Sequence, residues 1–259
     1  MICRLEDIAG DFWSIRGSFK IGGVIDLGTH MSLVKLGEGR FVLLDAYTLS
    51  DKVAEQILKI TAGADAIEAI INLHPFHTLH VEAVHQRFPN AKLYGSARHV
   101  EKLAHLPWQD ELVESADFQA LYQDHFDFSV PAGVDFISAD EKLHFSSVIA
   151  YHRESKTIHV DDTFIGIKLP WPLRMLGKKH RVSFHPTLAK TLERRAGAAD
   201  EFTAWGQQLA RQWRDAEHLC TAHTTNIELN AAKQEFETIA LDALSKVQGT
   251  LTKHKKAHS

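Results

Sequence analysis

The sequence is short of cysteine, of long apolar runs and of excess charge of either sign, and each shortage excludes something. Cys3 and Cys220 are the two cysteines in 259 residues. So widely spaced a pair makes no disulfide framework, and a reducing, cytoplasmic setting is the simpler expectation. No run of about 18 apolar residues occurs, so no membrane span is expected. The opening MICRLEDIAGDFW carries charges where a secretion signal needs an apolar centre, so none is expected. Lys and Arg number 29 against 33 Asp and Glu, a formal net charge of −4. Basic residues form no stripe, so no nucleic-acid partner is expected. The tail 253–256 (KHKK) reads as a solvated terminus. Gly-x-Ser-x-Gly and Walker sequences are both missing, so serine hydrolase and nucleoside triphosphatase readings lack support. Gly22-Gly23 reads as a turn, with no phosphate-cradling motif around it.

What the chain does have is histidine: 17 of them. Imidazole is the commonest metal ligand and titrates near neutrality. Position matters more than number, because many histidines are surface residues. The 44% hydrophobic content suffices for one sizeable core.

The first half reads as short strands. Segments 31–36 (MSLVKL) and 40–45 (RFVLLD) flank Gly37-Glu38-Gly39, a hairpin signal. Segment 52–61 places Val53, Ile57 and Ile60 at helical spacing. A buried strand at 66–71 (AIEAII) runs into His74, His77 and His80. Segment 78–88 reads as a helix with Leu79, Ala83 and Phe88 inward, and Pro89-Asn90 stops it. Segment 97–103 is a further helix.

Strands return at 135–137, 143–151 and 157–160, the last ending on Asp161-Asp162. Segment 165–185 is rich in Pro, Trp and basic residues. Asp200 is placed to cap a helix carrying Phe202, Trp205, Leu209 and Trp213. A short strand precedes His223, and 228–247 is a closing helix with Phe236, Ile239, Ala240, Ala243 and Val247 on one side. The expectation is one domain over 1–259, with 165–214 as a helical insertion.

Three imidazoles at a strand-to-helix switch point to metal binding, because ligands on such a switch sit on a rigid base. His77 and His80 share a face if the helix begins near His77. Asp161-Asp162 ends an apolar strand on two carboxylates, a ligand signal or an ordinary polar turn. His144 and His223 add imidazoles at other strand ends. Cys220 is better read as a buried apolar residue than as a ligand. His180 and His185 lie in the basic stretch 178–185, either at a substrate mouth or on a solvated loop.

Taken together, His74–His80, His144, Asp161-Asp162 and His223 resemble, in order and spacing, the metallo-β-lactamase superfamily. There an acidic strand, here ending on Asp45, precedes a His-x-His-x-Asp-His loop, and a His, an Asp and a final His follow at strand ends. Segments 88–94 (FPNAKLY) and 148–163 are similar to the family as well. At the four motif positions this chain has Asn72, His74, Phe76 and His77. The resemblance is to a degenerate, uncharacterised subgroup with a long helical segment before the last His, where Trp171-Pro172-Leu173 and the run near Trp205 fit.

The resemblance implies an α/β fold, a four-layer αββα sandwich with a helical insertion. It implies metal ligation by His74, His77, His144, Asp162 and His223, with one zinc ion rather than two and iron as the alternative. The implied function is a metal-dependent hydrolase of an ester, thioester, lactone or phosphoester small molecule. With Phe76 where the family has its water-orienting Asp, Asp161 or His80 takes that role. The alternative is a non-catalytic metal- or ligand-binding member of the same fold. A redox role with iron at these ligands ranks last, because no electron-carrier segment is readable.

Overall fold

The computed structural model describes residues 3–21, 25–26, 28–168, 180–223, 225–232 and 234–259. Gly22-Gly23 and Trp171-Pro172-Leu173, singled out above, lie outside the described residues. Chain contacts divide into two compact units, Met1–Asp127 with His152–Ser155, and Phe128–Tyr151 with Lys156–Ser259.

The first unit holds a six-stranded sheet in the order β1-β2-β5-β6-β7-β8. Its strands are β1 (Arg4–Asp7), β2 (Phe12–Gly17), β5 (Thr29–Lys35), β6 (Phe41–Leu44), β7 (Ile67–Ile71) and β8 (Lys92–Tyr94); β3 (Lys20–Ile21) and β4 (Ile25–Asp26) form a separate ribbon. β5 and β6 make the expected hairpin, Ser32 opposite Leu44. Its turn needs positive φ at Gly37, Glu38 and Gly39 in succession, which glycines supply at two of three positions. From β6 to β8 the pairing is parallel. Parallel neighbours require crossovers, and helices α1 (Asp51–Thr61) and α2 (Val81–Arg87) lie in them. The Ser50 side chain accepts from the Val53 N–H to start α1, and Val53 and Ile57 are buried along it. Each such side chain contributes roughly 1.5–3 kcal/mol. Two further helices follow, α3 (Ala97–Lys102) and α4 (Ala116–Leu121). The core of this unit includes Trp13, Ile15, Leu43, Tyr47, Ile57, Ile70, Val84 and Leu93.

The second unit carries a five-stranded sheet in the order β15-β14-β11-β10-β9. These are β9 (Phe126–Ser129), β10 (Ile149–His152), β11 (Thr157–Val160), β14 (His218–Thr221) and β15 (Asn226–Glu228). β11 and β14 run parallel, with Val160 beside Thr221. β12 (Phe164–Lys168) and β13 (His180–Phe184) form a hairpin. Among the described residues its helices are α5 (Leu188–Thr191), α6 (Ala198–Gln212), α7 (Leu229–Ala232) and α8 (Phe236–His258). α6 packs on α8, and α8 also on β13. Phe145, Phe164, Phe184, Phe202 and Phe236 sit in this unit's core.

Several boundaries differ from the sequence expectations. α2 begins at Val81, not 78, because 74–80 is used in turns: the His77 N–H reaches the His74 carbonyl and the Thr78 N–H the Phe76 carbonyl. Its inward residues are therefore Val81, Val84 and Phe88, while Leu79 is 77% exposed. The strand expected over 143–151 is formed only from Ile149, and 135–137 forms none; the neighbouring Val134 makes a single bridge to Leu192. α6 starts earlier than Asp200, at an N-cap Gly197 with φ 84°. The closing helix breaks at 234–235 and continues through the basic tail, where Lys255 pairs with Asp200. None of the described helices is long and apolar enough to cross a membrane.

Candidate functional site

In open sheets, ligands collect beyond the carboxyl ends of parallel strands, where neighbouring chains turn away together. Each unit places a buried carboxylate and at least one histidine there.

In the first unit β6 ends on Asp45, which adopts φ 58° and is 1% exposed. One carboxylate oxygen accepts the Leu73 N–H at 2.8 Å and the His74 N–H at 3.3 Å. Asp45 thus fixes the loop leaving β7, the next strand over. On that loop His74 is fully buried, and its ring stacks on His77 at 3.9 Å with 18° between planes. His74 Nδ1 accepts the Phe76 N–H at 3.2 Å. A neutral imidazole accepting at Nδ1 carries its proton on Nε2. Metal binding through His74 Nε2 therefore requires that bond to be given up.

Asn72 stands where the family pattern has its first imidazole. Its backbone N–H and its side-chain NH₂ both donate to the Tyr94 carbonyl at 2.9 Å. It ties β7 to β8. His80 is the N-cap residue of α2, so His77 and His80 do not share a helix face. The His80 Nδ1 is 2.8 Å from the Thr48 hydroxyl, and its ring lies against Tyr47. Burial, with some help from His77, holds its pKa below the usual imidazole value.

His99 belongs to the same neighbourhood and was not read from the sequence. Gly95 follows β8, and a Cβ there would lie 2.7 Å from the His99 Cβ, so glycine is what lets α3 start this close. Ser96 and His99 form a reciprocal cap on α3. Burial drives the His99 pKa to about 3; Asp45 opposes the shift, and His74 and His77 add to it. A Ser-x-x-His at a helix start was the available signal for His99. Asp45 was legible only as the end of an acidic strand.

In the second unit β11 runs into Asp161 and Asp162, which are 1% and 3% exposed. β14 runs parallel beside it into His223, with the Ala222 N–H on the Val160 carbonyl. That pairing brings His223 Nε2 to 2.9 Å from the Asp162 carboxylate. His144 comes from the coil before β10, and its Nδ1 is 3.9 Å from the other Asp162 oxygen. The His144 Nε2 donates to the Glu141 carbonyl at 2.8 Å, so Nδ1 is the ring nitrogen that faces Asp162. A backbone acceptor on the far nitrogen is the usual way a ligating histidine is held in one tautomer.

His185 is drawn into this group. Burial lowers its pKa, Asp162 opposes the shift, and His223 and His144 add to it. The Thr187 hydroxyl lies 2.7 Å from His185 Nδ1 and 2.9 Å from the His144 carbonyl. His185 is thus half-buried beside Asp162 rather than on a solvated loop. Cys220 is fully buried on β14, as expected of an apolar position.

The sequence-predicted residues are thus gathered into two sets, each within its own unit: His74 with His77, and Asp162 with His144 and His223. His80 is held by Thr48 beside the first set, and Asp161 precedes Asp162 in the chain.

No protein-family profile matches the sequence, and no curated protein matches it. Solved structures do. The metallo-β-lactamase FIM-1 from Pseudomonas aeruginosa, in its mono-zinc form, is 11% identical with a TM-score of 0.60, covering 95% of this chain and 96% of that one. A metallo-β-lactamase from Pontibacter korlensis is 12% identical with a TM-score of 0.59, covering 95% and 99%. One from Hirschia baltica is 11% identical with a TM-score of 0.58, covering 92% and 97%. The layered α/β architecture expected from the sequence is borne out: the chain has the fold of the metallo-β-lactamases.

Proposed function

We propose that this chain is a metal-dependent hydrolase, with metal ligands drawn from Asp162, His223 and His144 in the second unit and from His77 and His74 in the first. The observation that carries this is the buried Asp162 carboxylate flanked by two imidazoles, one of them at the end of the adjacent parallel strand. Carboxylate and imidazole are the borderline donors that zinc takes, and the His144 tautomer suits ligation. The zinc in FIM-1 supports zinc as the ion, and a single ion is our reading. Asn72 and Phe76 point the same way, since they replace two donors of a two-metal set. Iron is the alternative metal.

When bound, such an ion would polarise a carbonyl or phosphoryl oxygen and lower the pKa of water toward about 7. The chain's own part is to hold the donors and to move a proton. His80 is kept neutral by burial. In the tautomer whose Nδ1–H donates to the Thr48 hydroxyl, its Nε2 is the nitrogen that would accept a proton from water. Asp161 is the other residue assigned this role. The substrate class is a small ester, thioester, lactone or phosphoester, and the setting cytoplasmic.

The test is metal content with hydrolysis of a generic chromogenic ester, on wild type, Asp162→Ala and His77→Ala. Wild type is expected to hold zinc and cleave the ester. Asp162→Ala is expected to lose both while keeping its far-UV circular dichroism.

A second reading, a non-catalytic metal- or ligand-binding member of the fold, draws on Asn72 and Phe76. Asn72 is spent on joining β7 to β8. A His77→Ala protein that loses stability, with no ester hydrolysis in wild type to lose, favours it.

A further inference from the structure

The inward stripe of α8 ends on two imidazoles. Ala240, Leu244 and Leu251 are buried along it, and Val247 packs against the same core. The same spacing of three and four continues to His254 and His258. α8 lies antiparallel to α6. A Cβ at Gly206 would sit 3.0 Å from the Leu244 side chain, and Lys255 pairs with Asp200 in the first turn of α6. His254 and His258 are therefore level with the start of α6, where the facing helix begins.

Residues four apart on a helix face one way. These two rings lie 4.3 Å apart between centroids, tilted by 44°, and both side chains are half-buried. The His254 Nε2 is shut off from solvent and has no hydrogen-bond partner among the described residues. A ring that only closed the stripe would keep its nitrogens in water or hydrogen-bonded, because a buried polar atom left alone is costly. Ring contact with His258 does not satisfy that nitrogen, whereas a cation between the rings does. Two histidines at i and i+4 are the spacing by which one helix face offers two nitrogens to one ion. An ion held at about 2.0–2.1 Å by each imidazole brings the two rings about this close. Imidazole suits zinc, nickel and copper, and copper(II) binds such donors most tightly in the first-row series.

We propose that His254 and His258 form a divalent transition-metal site on α8, made of none of the strand-end donors and independent of the hydrolase reading. Water completes the coordination, and the bound ion ties the last turn of α8 to the turn before it.

The experiment titrates copper(II) alone into the full chain near neutral pH, followed by electron paramagnetic resonance and by thermal melting. The chains are wild type, His258→Ala, His254→Gln, and Asp162→Ala with and without His258→Ala. Wild type is expected to bind one copper ion more than His258→Ala or His254→Gln, and that ion shows hyperfine lines from imidazole nitrogen. Copper still held at this position in either variant binds at least about tenfold more weakly. Copper raises the melting temperature of wild type more than that of His258→Ala, while the copper-free chains share one circular dichroism spectrum. The one-ion difference persists in the Asp162→Ala background, whether or not Asp162 itself holds a metal. Equal copper content and affinity in wild type and His258→Ala overturns the proposal. So does a difference that vanishes once Asp162 is replaced, since the ion then belongs to the strand-end donors.

Discussion

Asp45 shows how much one residue can set. It spends backbone strain at φ 58° to put one oxygen on two amides of the loop that carries His74. Left-handed backbone is tolerated better by Asp than by most residues. Asp45→Ala removes both acceptor bonds from buried amides and puts a less tolerant residue at that φ. The expected cost is about 2–4 kcal/mol in urea unfolding. Asp45→Asn keeps an acceptor and the tolerance for this φ, so it costs less. Equal stability of wild type and Asp45→Ala would remove Asp45 from its supporting role. Position 45 was visible in the sequence as the end of FVLLD, but its partner amides lie 28 and 29 residues on, and no local pattern encodes that reach. The histidines at 74, 77 and 80 were legible because strand-to-helix switches have a sequence signature. Which nitrogen of each ring is occupied was not, because that depends on neighbours such as Phe76, Thr48 and Glu141.

At the scale of elements, parallel pairing does most of the positioning. β11 beside β14 joins Asp162 to His223, and β6 beside β7 joins Asp45 to the His74 loop. The sequence showed these four strands, since apolar runs bounded by polar turns mark them, but not which strands are neighbours. Helix starts were misjudged where turn hydrogen bonds compete with helix formation, as at 74–80, or where a glycine in left-handed conformation takes the cap, as at Gly197. Two glycines test the packing of the second unit. Gly133 has φ +71°, and a Cβ there would sit 2.0 Å from the Ala198 carbonyl oxygen at the start of α6. Gly133→Ala is expected to cost more than about 3 kcal/mol, because both strain and a backbone clash oppose it. Gly249 lies exposed within α8, and a methyl group at that position would meet nothing within 4 Å. Gly249→Ala is expected to stabilise by up to about 1 kcal/mol through helix propensity. Thermal melts of the two variants, moving in opposite directions, check the account of α6 and α8.

For the molecule as a whole, buried neutral histidine makes stability depend on pH. His152 is fully buried, with its Nδ1 2.7 Å from the Ser155 hydroxyl and its Nε2 3.0 Å from Glu154. Burial takes its pKa from 6.5 to about 4, outweighing the opposing pull of Glu154. The unfolded chain therefore binds this proton first as pH falls. Stability from His152 is complete above about pH 6.5, is lost as pH falls toward 4, and amounts to about 3 kcal/mol across that window. Urea midpoints between pH 7 and 4 should fall in wild type and fall less steeply in His152→Gln. Parallel slopes would contradict the assignment.

The fold was legible in segments 12–103 and 135–162 and at His223, because the order of strand ends and ligand-type residues survives even where the motif is broken at Asn72 and Phe76. Function depends on whether the surviving donors hold a metal. The most direct measurement is elemental analysis of the gently purified full chain beside Asp162→Ala. The account predicts about one zinc or iron per wild-type chain and close to none in a folded Asp162→Ala protein. A wild-type chain without metal, or an Asp162→Ala chain that keeps it, would contradict the claim.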